Sequence, residues 1–359
     1  MGDRPRPQIP VVVLAGFLGS GKTTLLNHLL HRSGGSRIGA IVNDFGAIEI
    51  DAMAVAGALG DSTVSLGNGC LCCSVDPAEL DDYLERLSRA ETGVDVIVVE
   101  ASGLAEPRQL VRMLLASELP TVAYGGLVEV VDAAEFEDTR ARHPEIDRHL
   151  AMADLVVVNK LDRTPDGERV VALVESLAAG AAVLPATHGR VDPAFLFDCR
   201  PAEERVGQLS FDDLHDRVET DAATPHLHAA YDSLSFVSDV PMDPRRLTRF
   251  LDGRPRGLYR IKGYVDFGPN DLRNRYSLHA VGGFLRLRPS PWEPTEDRLT
   301  RLVLIGTGID AAALEEELRA CRSVTPHVDE IGMWGVLRHV PDPDETEDVA
   351  ERLARGPGV

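Results

Sequence analysis

The feature that most constrains the fold is a glycine-rich loop at residues 16–23, with the sequence Gly-Phe-Leu-Gly-Ser-Gly-Lys-Thr. An apolar run, Pro10–Ala15, precedes this loop, and Lys22 begins a segment that suits a helix. Glycines in such a loop let backbone amides turn inward, while the N-terminus of the helix attracts negative charge. A strand, a loop and a helix in this order predict a phosphate-binding site in an α/β domain.

Two motifs supply the predicted catalytic groups. Lys22 would contact the β- and γ-phosphates of a nucleotide, and Thr23 would bind Mg²⁺. The motif Glu100-x-x-Gly103 ends a buried apolar run, so it would place a carboxylate near the metal and a glycine amide near the γ-phosphate. Lys22, Glu100 and Gly103 are therefore the predicted catalytic residues, with Thr23 and Glu100 as magnesium ligands.

A third motif, residues 159–162 with the sequence Asn-Lys-Leu-Asp, follows another buried run. An aspartate there can accept two hydrogen bonds from the guanine ring, and the edge of adenine cannot offer them. The order of the three motifs therefore favours GTP over ATP. The residues that we predict to bind the nucleotide are Gly16, Gly19, Ser20, Gly21, Lys22, Thr23, Thr24, Asn159, Lys160 and Asp162.

Three of the five cysteines, Cys70, Cys72 and Cys73, lie within four residues of one another. A structural zinc site usually closes with four ligands from two separated pairs, which the sequence lacks. An open thiolate site for Zn²⁺ or Co²⁺ fits this triplet better, because soft thiolates suit such metals and an open position lets the ion leave. The solitary Cys199 and Cys321 are interpreted as linker or core thiols.

Composition limits the classes of partner. The formal net charge is -20 and the pI is about 4.9, which disfavours binding to nucleic acid. No apolar stretch is long enough for a secretory signal or a membrane span, so we expect a cytoplasmic protein with reduced thiols and no membrane partner. The chain contains only three lysines, Lys22, Lys160 and Lys262, and two of them lie in the nucleotide motifs.

Apolar runs that alternate with helical segments predict a doubly wound, mostly parallel sheet in a nucleotide-binding domain at residues 1–197. An acidic linker at 198–226, a smaller α+β domain with an antiparallel sheet at 227–335 and a charged tail at 336–359 follow. The predicted strands of the first domain are Pro10–Ala15, Ile38–Asn43, Val94–Glu100, Gly126–Asp132, Asp154–Asn159 and Ala182–Thr187. Its predicted helices are Lys22–His31, Pro77–Arg89, Pro107–Ser117 and Gly167–Ala179.

With these motifs in this order, the chain resembles the CobW-type metallochaperone GTPases, a family that includes cobalamin-synthesis and zinc-transfer proteins. The resemblance covers about residues 9–325 and extends to residues 43–46, Asn-Asp-Phe-Gly, and 259–263, Tyr-Arg-Ile-Lys-Gly. It implies a P-loop GTPase whose thiolates bind a metal. It also implies a C-terminal domain that helps to recognise the recipient, either a metalloprotein or a cobalamin-synthesis enzyme.

The chain departs from the family pattern at two places. Relatives often read Asn-Glu-Phe-Gly-Glu, where this chain has alanine at position 47, which leaves Asp44 or Glu49 as the candidate oxygen ligand for the metal. Many relatives also carry a histidine-rich stretch before the second domain, and only His226 and His228 remain here. Metal delivery is therefore favoured over metal storage.

We hypothesise that the chain is a switch in which GTP and GDP states differ in metal affinity. No residue presents itself as a group that positions the attacking water, so we expect slow intrinsic hydrolysis. Two other classes stay open: a noncatalytic, nucleotide-sensing metal-binding protein, and a P-loop small-molecule kinase with structural cysteines. The sequence does not decide between zinc and cobalt, and it does not specify the recipient or the oligomeric state.

Overall fold

The computed structural model describes residues 8–33, 35–42, 77–103, 105–197, 231–293, 295–323 and 328–341. The chain divides into two compact units: Met1–Ala179 with Val183–Tyr231, and Gly180–Ala182 with Asp232–Val359. The predicted linker and every residue after Pro341 lie outside the described residues.

The first unit contains a six-stranded sheet in the order β2-β3-β1-β4-β5-β6. The strand pairs β2–β3, β3–β1, β1–β4 and β4–β5 are parallel. The strands are β1 Ile9–Ala15, β2 Ile38–Val42, β3 Val96–Glu100, β4 Val122–Asp132, β5 Leu155–Asn159 and β6 Ala182–Pro185. The helices are α1 Lys22–His31, α2 Pro77–Ser88, α3 Pro107–Ala116, α4 Phe136–Arg142, α5 Ile146–Met152, α6 Gly167–Leu177 and α7 Pro193–Leu196. The predicted α/β class with a parallel sheet is confirmed.

The strands of this sheet are buried on both faces, which explains their nearly continuous apolar sequences. On β1, Val11 and Val13 join one hydrophobic cluster that also contains leucines of α2 and α3. Val12 and Leu14 point to the opposite face and are also fully buried. A single polar substitution on either face would therefore interrupt a core.

Strand β4 begins four residues earlier than the predicted Gly126, because two glycines are part of the strand rather than of a turn. A Cβ on Gly125 would lie 2.9 Å from the backbone of Val11, so a side chain there would collide with β1. The β1–β4 register also shifts between Val11 and Val12, opposite these glycines. Gly125 thus marks a close approach of two strands.

Helices α4 and α5 were not predicted from the sequence. Each has seven residues, so a period of 3.6 is sampled for fewer than two turns, and each is rich in charged residues. They follow β4 and lie within the connection to β5, and their apolar residues Phe136, Ile146 and Leu150 are buried. Short helices of this kind depend on packing rather than on local sequence.

The second unit contains a five-stranded sheet in the order β10-β9-β8-β11-β7. The strand pairs β10–β9, β9–β8, β8–β11 and β11–β7 are antiparallel. The strands are β7 Asp232–Ser238, β8 Leu258–Val265, β9 Asn274–Val281, β10 Phe284–Pro291 and β11 Thr300–Gly306. The helices are α8 Pro244–Asp252, α9 Ala311–Ala320 and α10 Glu330–Leu337. The predicted α+β class with an antiparallel sheet is confirmed for this unit.

One face of this sheet packs on the helices. Alternate residues of β11, Leu302 and Leu304, join a cluster with Leu314 and Leu318 of α9. Helix α10, which the sequence analysis did not predict, adds Met333 and Val336 to the same cluster. None of the helices in the described ranges is long and apolar enough to cross a membrane.

Candidate nucleotide site

The glycine-rich loop lies at the carboxyl edge of the parallel sheet, directly after β1. Gly16, Gly19 and Gly21 all have positive φ angles, of 140°, 75° and 103°. A Cβ on Gly16 would lie 2.3 Å from the carbonyl oxygen of Val130, and one on Gly21 would lie 2.3 Å from Nδ2 of Asn159. Gly16 and Gly21 therefore need glycine because both the backbone conformation and the available space exclude a side chain, whereas at Gly19 only the backbone conformation favours glycine.

Lys22 begins α1 and folds back over the loop. Its Nζ donates hydrogen bonds to the carbonyl oxygens of Gly16, at 2.9 Å, and Phe17, at 3.3 Å. The side chain is buried, whereas Thr24, two residues later, is exposed. The ammonium group is thus held at the centre of the loop, within reach of an anion that the loop amides would also contact.

The Glu100-x-x-Gly103 motif meets the loop through both of its defined residues. Glu100 ends β3, is buried, and its Oε1 accepts a 2.7 Å hydrogen bond from Oγ1 of Thr23. A Cβ on Gly103 would lie 2.8 Å from the backbone nitrogen of Leu18, so this glycine lies against the loop backbone. The hydroxyl and the carboxylate together form an oxygen donor set of the kind that Mg²⁺ prefers.

Asn159 links the phosphate loop to a second loop that follows β6. Its Nδ2 donates to the carbonyl oxygen of Ser20 at 3.0 Å, and its Oδ1 accepts from the backbone nitrogen of Gly189 at 2.9 Å. The residue is 1% exposed, so both hydrogen bonds are shielded from water. One buried amide therefore fixes the distance between the two loops.

Lys160 and Asp162 extend from the end of β5. Lys160 has a φ of 61°, and its Nζ donates to the carbonyl oxygen of Gly19 at 2.5 Å and to Oδ2 of Asp132 at 2.7 Å. Asp162 is partly exposed, and its Oδ2 lies 3.8 Å from Nε2 of His188. The structure thus brings Asn159 and Lys160 of the predicted motif to the phosphate loop, and it leaves the Asp162 carboxylate accessible beside His188.

Two family models match this chain. Residues 10–185 match the CobW/HypB/UreG nucleotide-binding domain, and residues 231–322 match the cobalamin synthesis protein cobW C-terminal domain. The chain belongs to the CobW/HypB/UreG family. The predicted resemblance to CobW-type proteins is thereby confirmed.

The matches between this CobW/HypB/UreG-family chain and two curated relatives span most of this chain and nearly the whole length of each relative. The zinc chaperone CobW of Pseudomonas aeruginosa is 30% identical over 354 residues, which cover 87% of this chain and 91% of that protein. The zinc chaperone YjiA of Escherichia coli is 28% identical over 333 residues, covering 87% and 97%. The crystal structure of Zn(II)-bound YjiA GTPase aligns at 22% identity with a TM-score of 0.42, over 89% of this chain and 100% of that one.

Four residues of this CobW/HypB/UreG-family site were missed by the sequence analysis: Glu129, Asp132, His188 and Gly189. Asp132 ends β4, and parallel strands present their carboxyl ends at one edge, so its position as the last residue of a predicted strand was a usable signal. His188 and Gly189 follow β6 in the same way, and His188 has a φ of 54°. A search of every strand end, rather than of named motifs alone, would have found these three.

Glu129 is a buried acid within an apolar strand, beside the phosphate loop. It pairs in register with Ala15, is 2% exposed, and its Oε2 has no hydrogen-bond partner among the residues that the structure describes. Burial raises its pKa to about 8, although the positive charge of Lys22 opposes the rise and the negative charge of Glu106 adds to it. At neutral pH the group is therefore mostly protonated.

Glu129 also lines a cavity of about 310 Å³ between the phosphate loop and helix α4. Loop residues Phe17 and Ser20 line the same cavity, and the buried Oγ of Ser20 likewise has no hydrogen-bond partner in the described ranges. The Lys160–Asp132 pair lies at the cavity wall. The cavity is therefore continuous with the loop that we predict to bind phosphates.

The predicted cargo-metal ligands of this family member, Cys70, Cys72, Cys73 and Asp44, lie in residues 43–76, outside the described residues. Cys199, His226 and His228 also lie outside. Within the ranges that are described, no group of three or more His, Cys, Asp or Glu side chains could hold a metal ion. Cys321 is buried in the core of the second unit, and burial raises its pKa to about 11, as its interpretation as a core thiol predicts.

Proposed function

We propose that this chain is a GTP-hydrolysing metallochaperone that binds zinc through Cys70, Cys72 and Cys73 and delivers it to a recipient metalloprotein. The observation that carries the proposal is the contact between Thr23 and Glu100, since it places a hydroxyl and a carboxylate beside the phosphate loop. Membership of the CobW/HypB/UreG family and relatives named zinc chaperones support the choice of activity and cargo.

The nucleotide would be bound from both ends of the site. The loop amides of residues 16–21 and the ammonium of Lys22 would contact the phosphates, and Thr24 would lie at the start of the helix. Asp162 would accept two hydrogen bonds from the guanine ring, and the stem of Lys160 would pack beside it. Asn159 would hold the phosphate loop at a fixed distance from the loop of His188 and Gly189, which lies beside Asp162, because it bonds to both loops.

Thr23 and Glu100 fit Mg²⁺ by the chemistry of their oxygen atoms, which lie 2.7 Å apart. When bound there, the ion would neutralise charge on the β- and γ-phosphates. The backbone amide of Gly103 would approach the γ-phosphate, since Gly103 lies against the loop at Leu18. We infer a slow intrinsic rate, because the described residues offer no obvious group that would position the attacking water.

The pairing of β2 with β3 connects the nucleotide site to the segment that carries the proposed metal ligands. The last residue of β2, Val42, pairs in register with Glu100, and the chain continues from there into the segment that carries Asp44 and the three cysteines. The same segment ends at Pro77, where α2 begins. We infer that the nucleotide state at Glu100 changes the metal affinity, by a coupling free energy of about 1–3 kcal/mol, or roughly 5- to 150-fold.

A competitive titration tests the proposal. The reduced protein is titrated with Zn²⁺ and with Co²⁺ against a calibrated chelator, in Mg-GTP and in Mg-GDP. We expect tight zinc binding that differs between the nucleotides and is lost in Cys72→Ser, but not in the matched control Cys199→Ser. An equal affinity for the metal in Mg-GTP and in Mg-GDP would contradict the switch. Tighter binding of Co²⁺ than of Zn²⁺ would indicate that cobalt is the cargo.

Hydrolysis is tested separately by phosphate release in Lys22→Ala, with Lys262→Ala as the matched lysine control. We expect release to be lost only in the first variant. Undetectable release from the metal-loaded wild-type protein would indicate a nucleotide sensor without catalysis, and preference for ATP would indicate a small-molecule kinase.

A further inference from the structure

Helix α10 exposes apolar side chains along one face. Ile331 and Trp334 are 73% and 74% exposed, and no other large hydrophobic residue in the described ranges is more than 60% exposed. Leu337 is also exposed, and residues three positions apart are neighbours on a helix surface. We call Ile331, Trp334 and Leu337 the apolar stripe. Exposed apolar side chains that neighbour one another mark an interaction surface, whereas single ones do not.

The opposite face of α10 is fixed to the second unit, where it contributes two buried side chains to the hydrophobic core. Asp329, just before the helix, forms an ion pair with Arg245 of α8. Arg338, just after the helix, forms an ion pair with Asp252 of α8. The apolar stripe therefore lies on a helix that is held at both ends, so a partner that binds it has little backbone to order.

The sequence of α10 is complementary to a second copy of itself. In an antiparallel pair of helices related by a two-fold axis at Trp334, residues equally far before and after Trp334 lie level with each other across the contact. Ile331 of one copy then lies level with Leu337 of the other, so apolar surface meets apolar surface. Glu330 lies level with Arg338 of the other copy, so opposite charges meet.

Both members of this charge pair are accessible. Glu330 is exposed, and the side chain of Arg338 is 52% exposed although it contacts Asp252. The hydrogen bonds of the Arg338 guanidinium within the described ranges use Nε, toward His339, and Nη2, toward Asp252. A guanidinium carries five N–H donors, so it can also contact a carboxylate of a second copy.

We propose that two copies of this chain associate through α10, with Trp334 at the two-fold axis and Glu330 of each copy beside Arg338 of the other. The two-fold pattern selects a second copy over an unrelated protein, because a symmetric interface has to be complementary to itself. The helix lies beyond residues 231–322, so the contact is not part of the matched C-terminal family domain.

The size of the apolar stripe predicts a weak dimer. A buried aromatic side chain contributes about 150–250 Å². A standard interface buries about 800 Å² per partner, so the stripe supplies the centre of an interface rather than the whole of it. The net charge of -20 on each copy opposes association. We therefore expect a reversible dimer with a Kd of about 1–100 µM.

Sedimentation equilibrium of the full, reduced chain without nucleotide or metal tests the association, in about 0.15 M salt to screen the net charge. Trp334→Glu should raise the Kd roughly 100-fold, because a symmetric contact loses the residue twice. Leu272→Glu changes another exposed side chain of the same unit and should leave the Kd unchanged. A chain that stays monomeric well above the expected Kd, or a dimer that Trp334→Glu does not weaken, would overturn the proposal.

The charge pair is tested in the same way. Glu330→Arg places like charges level with each other and should raise the Kd several-fold. Glu316→Arg makes the same change of charge at an exposed position of α9, so it is the matched control. Equal Kd values for these two variants would contradict the antiparallel arrangement.

Tryptophan fluorescence locates the contact, since the chain contains only Trp292 and Trp334. Dilution from dimer to monomer should shift the emission to longer wavelength, because the indole of Trp334 enters water. Trp292→Phe should keep this shift, and Trp334→Phe should lose it. Dissociation without a shift would overturn the proposal. Short-wavelength emission from Trp334 at every concentration would also overturn it, since the chain itself would then cover the apolar stripe.

Discussion

The hydroxyl of Thr23 donates a 2.7 Å hydrogen bond to the carboxylate of Glu100, which joins the first turn of α1 to the end of β3. The two residues are 77 positions apart in the sequence, and each comes from a different predicted motif. Their contact makes the phosphate loop and the acidic strand end parts of one site.

Replacing Glu100 with alanine should lower kcat for GTP hydrolysis roughly 100-fold, because the oxygen set for Mg²⁺ loses its carboxylate. The Mg²⁺ concentration needed for half-maximal rate should rise at the same time. Phosphate release measured across a Mg²⁺ series checks both effects. Glu118→Ala, at an exposed site in the same unit, is the control, and an unchanged Mg²⁺ dependence in Glu100→Ala would contradict the assignment.

Asp162→Ala should weaken GTP and GDP binding and leave the weak binding of ATP unchanged. Loss of two charge-assisted hydrogen bonds costs about 2–4 kcal/mol, or roughly 30- to 1000-fold in affinity. Competition between labelled GDP and unlabelled GTP or ATP measures the change. A parallel loss of ATP binding would indicate that Asp162 supports the loop rather than reads the base.

Asn159→Ala should destabilise the first unit and weaken binding of every nucleotide. The change leaves the Ser20 carbonyl and the Gly189 amide without their buried partner, at a cost of about 1–3 kcal/mol for each group. Urea unfolding followed by circular dichroism measures the stability, with the exposed Gln109→Ala as the control. Stability equal to that of the control would show that the two loops do not depend on this amide.

Glu129 should make stability fall as pH rises. Its folded pKa of about 8 is above the usual value of 4.5, so the folded state holds an extra proton between these values and its stabilising effect is lost as pH rises through about 8. The slope reaches about 1.4 kcal/mol per pH unit. Unfolding free energies measured from pH 5 to 9 should fall with this slope up to about pH 8 and level off above it in the wild type, and they should lack this slope in Glu129→Gln. Identical pH profiles for the two proteins would contradict the buried, protonated state.

Much of the fold follows from local patterns. The run of β-branched residues from Val96 to Val99 predicts a strand buried on both faces, and the structure places these residues in β3, between β2 and β1. Helix α1 has the predicted bounds because the glycine before Lys22 and the apolar periodicity both mark its start. Helix α10 could not be predicted in this way, since it is apolar on nearly all sides and lacks a period.

The site was predictable only where a motif repeats a known chemical pattern. Lys22, Glu100 and Asn159 were named from such patterns, and the structure places all three around one loop. Glu129 was not named, because its environment depends on which strand lies beside β4.

The folded-back position of Lys22 has a consequence for how the protein distinguishes ligands. Its ammonium already donates to two loop carbonyls, so a phosphate chain would exchange these acceptors rather than add new ones. The net gain is then the difference between an interaction with full negative charge and one with a carbonyl dipole. Discrimination at this lysine therefore depends on the charge of the phosphate chain, and a neutral isostere of the same shape would gain almost nothing from it.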